Sequence, residues 1–199
     1  MSSILEQLTT QLGGSALSQI AGQIGADEGA TSNAIAGALP VILGGLMKNA
    51  NSSGGASALG AALDRDHDGS ILDDLGGFLG QTQQVERHGG GILGHVFGGQ
   101  TGRVAESVGR SSGLDAGSAG QLMKILAPMV MAQLGKEKRR SNLDTSGLSD
   151  LLRSERKQIQ ARPEMGMFEK MLDQDGDGSA LDDLAKAGAG LLGNMLRRR

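Results

Sequence analysis

Ten aspartates carry the most specific chemistry in this chain. They fall in two segments, Asp64-Arg65-Asp66-His67-Asp68-Gly69-Ser70-Ile71-Leu72-Asp73-Asp74-Leu75 and Asp173-Gln174-Asp175-Gly176-Asp177-Gly178-Ser179-Ala180-Leu181-Asp182-Asp183-Leu184, which share the template D-x-D-x-D-G-S-x-L-D-D-L. Carboxylates this dense repel one another unless they are protonated, turned to water or gathered around a cation. Alternating Asp followed by Gly is how a chain wraps hard oxygen ligands around Ca2+. Two calcium ions, one per segment, are the expected cofactors. Mg2+ is the weaker candidate, because it keeps several of its waters.

Set on the EF-type loop, Asp64, Asp66 and Asp68 fill positions one, three and five, as do Asp173, Asp175 and Asp177 in the second segment. Gly69 and Gly178 stand at six, where the chain must turn sharply, and Ser70 and Ser179 at seven would offer main-chain oxygens. Position twelve departs from the pattern, being Leu75 or Leu184. Acidic residues come earlier, as Asp73-Asp74 and Asp182-Asp183, and Asp74 and Asp183 are the expected closing ligands. Leu72 and Leu75, three apart at the head of an exit helix, would face the core. The simpler reading is two exposed Asp-Gly turns whose acidic residues cap the helices that follow.

The elements around these segments read as helical and as repeated. At an offset of 88 residues, Ile4-Leu5 meets Ile92-Leu93, Gly25-x-Asp27 meets Gly113-x-Asp115, and Pro40 meets Pro128. The aspartate segments match at an offset of 109, so the second copy carries about 21 extra residues, a basic insertion over 135–162. Ile4, Leu5, Leu8 and Leu12 lie on one helical face, and Leu17, Ile20, Ala21 and Ile24 on another that ends at Gly25. Asp27 and Asp115 are N-cap candidates. Pro40 and Pro128 are expected to kink or restart their helices, because proline lacks a donor and clashes one turn back. Alternating β-branched runs are missing. The expected fold is all-α: a duplicated helical bundle, each half ending in a D-x-D-x-D-G loop-helix unit. The halves are repeat 1 over 1–80 and repeat 2 over 92–199, joined by a Gly-containing linker at 81–91.

At this point the chain resembles the bacterial family known as domain of unknown function 937, which includes YidB-like proteins, with EF-hand or dockerin-like calcium loops added. The resemblance rests on Ile-Leu-Gly-His-Val-Phe-Gly-Gly at 92–99, Ser-Gly-Leu-Asp at 112–115, the Leu122 to Leu134 stretch and the second D-x-D-x-D-G-S-x-L-D-D-L. It implies a small helical bacterial protein and brings no activity with it.

Composition narrows the rest. Across 199 residues there are three Phe and no Tyr, Trp or Cys, so aliphatic side chains must build the core and thiolate chemistry is excluded. Net charge is −3, and the two segments hold ten of the 22 acidic residues, so the acidity is local. The N-terminus lacks a basic region followed by a continuous apolar run, and Ala34 to Leu46 falls short of the roughly 20 residues of a spanning helix. A cytoplasmic protein without a membrane span is the expectation.

His88 and His95 are spaced for one helix face, yet no further ligands stand near enough in sequence to complete a zinc site, and His67 is expected to be exposed. No phosphate loop or nucleophile-base pairing occurs, so an enzyme is not expected. The leading expectation is a calcium-binding structural or interaction module with an unidentified protein partner or a second copy of itself. The alternative is a nucleic-acid-associated protein using the basic clusters at 136–162 and 197–199. The simpler reading of those clusters is a solvated linker and tail.

Overall fold

A computed structural model describes residues 3–160. The second aspartate segment, with Asp173, Asp175, Asp177, Ser179 and Asp183, lies outside the described residues, as does the tail at 197–199. The described residues are helical throughout, without a strand: α1 (Ile4–Gln11), α2 (Ser15–Ile24), α3 (Glu28–Ala50), α4 (Gly55–Asp66), α5 (Leu75–Gly80), α6 (Thr82–Phe97), α7 (Thr101–Ser112), α8 (Ala116–Arg140) and α9 (Thr145–Gln160). Single 3-10 turns stand at Ser70–Leu72 and Gly98–Gln100.

Local chemistry sets most of the helix ends. Ser3 and Glu6 form a reciprocal capping box that starts α1. Gly25 and Gly113 end α2 and α7 in the left-handed conformation, at φ 68° and 84°, where a side chain would be strained. Two residues on, Asp27 accepts from the Ala30 amide and Asp115 from the Gly117 and Ser118 amides, opening α3 and α8. The α2–α3 and α7–α8 pairs thus carry the same stop and start signals at the same spacing.

The core is one continuous cluster from Ile4 to Ile159. Its axis is α8, which is buried without interruption from Ile125 to Gly135, the mark of a helix surrounded by others. Helices α1, α2, α3, α4, α6 and α7 all pack on it. By length and composition α3 could cross a bilayer, contrary to the expectation from its shorter apolar run, but 67% of its apolar window is buried in the bundle.

Three further expectations are corrected. Of the kink or restart expected at Pro40 and Pro128, the restart does not occur: α3 and α8 run on through both prolines, which are buried, and packing on every side holds the turns that lack a hydrogen bond. The stretch 81–91 is not a linker but mostly the first part of α6, seated on the core through Val85 and Gly89. The described part of the insertion, 135–160, is not a solvated linker either. Its first residues finish α8, and α9 then buries Leu148, Leu152 and Ile159 against the bundle. The Glu155 carboxylate of α9 accepts the Ile4 amide at 3.1 Å, tying it to the start of the chain.

Candidate functional site

The first aspartate segment straddles three elements. Asp64 and Asp66 belong to the last turn of α4, Asp68 opens the turn that follows, and Asp74 heads α5. Gly69 adopts φ 88°, the left-handed turn that position six of a cation loop requires. Asp68 then folds back on its own chain, accepting from the Ser70 amide and hydroxyl. These bonds hold the Asp68 carboxyl below the usual carboxylate range, the hydroxyl contributing most. The Ser70 carbonyl accepts the Asp73 amide at 3.0 Å, closing the 3-10 turn. Asp74 accepts the Gly77 amide at 2.9 Å and so caps α5, as the simpler reading has it. Leu72 is buried and Leu75 packs on the core, as their spacing implied.

The segment lies against the C-terminal end of α8, and contact is close because side chains are missing. A Cβ at Gly135 would overlap the His67 carbonyl oxygen, and one at Gly69 would crowd Lys136. Around this seam the α8 cations answer the aspartates. Lys138 Nζ reaches Asp64 at 2.6 Å and Lys136 Nζ reaches Asp73 at 2.9 Å. Arg139 donates to the backbone carbonyls of His67 at 2.9 Å and Leu63 at 3.5 Å, satisfying the orphan end of α4. Asp66 pairs with its neighbour Arg65 at 2.7 Å, whose guanidinium lowers its carboxyl. Sequence reasoning missed this clamp. The one signal for it was a Gly directly before the Lys136 to Arg140 run.

His67 is buried, not exposed as expected from its place among aspartates. Its ring stacks on His88 of α6, with centroids 5.5 Å apart. Burial, more than any neighbouring charge, pushes its pKa below the ordinary 6.5.

The family model for bacterial proteins of unknown function, DUF937, matches residues 6–137. The chain belongs to that family. No curated protein and no solved structure matches it. In this DUF937 protein the matched region spans α1 to the basic end of α8, so it takes in the first aspartate segment and both prolines; α9 and the second segment lie beyond it.

Tested against the needs of calcium, which takes six to eight oxygens at about 2.3–2.6 Å, the DUF937 segment is not arranged as a closed cage. Among the described residues no three Asp, Glu or His side chains converge on one point. Asp64, Asp66, Asp68 and Asp74 face different partners, and the Ser70 carbonyl is already engaged. What the structure does bring together is a glycine turn, a set of exposed carboxylates and two lysines that neutralise them from outside.

Proposed function

We propose that this protein is a non-enzymatic, calcium-binding structural or interaction module built on a duplicated bundle, with one ion at 64–75 and a second at 173–184. The observation that carries the reading is the acidic template itself, present twice, with Gly69 turned at position six and held by Lys136 and Lys138 as counter-charges. Calcium and Lys138 are alternative partners for the Asp64 carboxylate, while Lys136 neutralises the neighbouring Asp73. Binding would require Asp64 and Asp66 to leave the last turn of α4, so the ion acts on the α4–α5 connection rather than filling a finished cage. The α2–α3 and α7–α8 pairs, with matching caps and prolines, support the duplication.

Isothermal titration of the full chain with calcium tests the reading. Saturable uptake, lost when Asp64, Asp66 and Asp68 are changed to Asn together with Asp173, Asp175 and Asp177, is the expected result. No saturable uptake up to several millimolar, the range of the weakest natural loops, discards it. The nucleic-acid alternative is left with fewer cations, since Lys136, Lys138 and Arg139 are committed within the bundle.

A further inference from the structure

Between α3, α4 and α6 the bundle leaves a half-open cavity of about 700 Å3, a volume typical of small-molecule sites. Its floor is aliphatic, with Leu46, Leu59, Ile92, Val96 and Met131, and among the described residues no Phe lines it. At one end stand Arg65, Asp66, His67, Arg87 and His88; at the other are Asn49, His95 and the start of α4 at Gly54 and Gly55, where no side chain caps the helix.

The first end is cationic. Two guanidiniums face one carboxylate, and that carboxylate is already engaged by Arg65. Arg87 touches only the Gln83 carbonyl, at 3.3 Å, among the described residues. His67 keeps 7% of its surface exposed, and its ring stacks on His88 in the cavity wall, with centroids 5.5 Å apart. A guanidinium with spare donors beside it marks a place built for an acceptor.

We propose that this cavity binds an aliphatic anion, its carboxylate or phosphate head held between Arg65, Arg87 and His67 and its hydrocarbon body laid along Leu59, Ile92 and Met131. The polar end supplies fixed donors to the head, and the floor replaces water around the chain. The inference does not depend on calcium binding.

All three histidines of the chain line this one cavity, so their imidazole NMR signals form a local probe. The full-length protein is titrated with decanoate, decyl phosphate, decanol and inorganic phosphate, the amphiphiles kept below their micellar concentrations. Saturable shifts with decanoate or decyl phosphate are expected, with decanol and inorganic phosphate each about tenfold weaker or more. Preference between the two anions tells a fatty-acid-like from a phospholipid-like ligand. Two variants complete the test. Arg87→Gln removes an exposed donor, and Gly91→Leu fills the cavity from a position where a Cβ meets nothing within 4 Å; both are expected to fold and to weaken binding about tenfold or more. Absence of saturable shifts, equal binding of decanol, or unchanged affinity in both variants overturns the proposal.

Discussion

Gly89 of α6 lies directly on the backbone of Lys124 in α8, so close that a Cβ at position 89 would overlap the Lys124 carbonyl oxygen. That oxygen is the one that Pro128, four residues on, cannot hydrogen-bond. The proline exposes a carbonyl and the glycine covers it with its α-carbon, a contact of the C–H···O kind. This is why α8 runs through its proline and why α6, rather than a linker, occupies 82–97.

Replacing Gly89 with Ala should therefore force α6 and α8 apart. A loss of about 1–3 kcal/mol is expected from overpacking. Gly90, next in the chain, meets nothing within 4 Å, so Gly90→Ala should instead gain about 0.5–1 kcal/mol from helix propensity. Urea unfolding of both variants checks this. Equal behaviour would show that the α6–α8 contact is not as tight as described.

Arg139 joins α8 to the end of α4 through two backbone carbonyls. Arg139→Ala leaves the partly buried His67 oxygen without its donor, at a cost of about 1–3 kcal/mol. Faster amide exchange should spread from Leu63 to Leu72 while the middle of α8 stays protected. Uniform loss of protection across the bundle would contradict a local clamp.

Lys138 occupies Asp64, an expected ligand, and Lys136 stands on the adjacent Asp73, so on the calcium reading the first competes with the ion and the second repels it. Changing both lysines to Met should tighten calcium binding by about twofold or more, since the Lys136–Asp73 pair is open to solvent while Lys138 is only 15% exposed. Weaker binding by the double variant in calorimetry would show that these lysines do not oppose the ion.

The depressed pKa of His67 predicts a pH dependence. Its folded value lies below 6.5, chiefly through burial, with His88 and Arg65 adding to the shift and Asp66 opposing it. The unfolded chain then binds the proton more tightly. The stability contributed by this group is complete above about 6.5 and lost as pH falls through the folded value. Urea midpoints should drop over that window in the native protein and drop less in His67→Gln. Identical slopes would remove His67 as the cause.

The parts of this fold that were legible in the sequence are those governed by neighbours in the chain. Gly25, Asp27, Gly113 and Asp115 end and start helices through bonds spanning a few residues, and the apolar spacing of α1, α2 and α8 announces which faces are buried. Asp74 was expected to close the loop as a ligand, with capping as the simpler reading, and in this structure it caps α5. The clamp on the first segment was not legible, because Lys138 and Asp64 are 74 residues apart and exposed charges carry no pattern that names a partner. His67 was misplaced for a related reason. Aspartates beside it suggest water, whereas its burial depends on Gly135 and on His88 in other helices.

His67 belongs at once to the aspartate segment and to the wall of the cavity. A change of conformation at one is therefore a change of shape at the other. If a cation and an anion each favour particular placements of that ring, each alters the affinity of the other by the same factor. If both proposals hold, a single buried imidazole would couple the two sites, with no moving domain required.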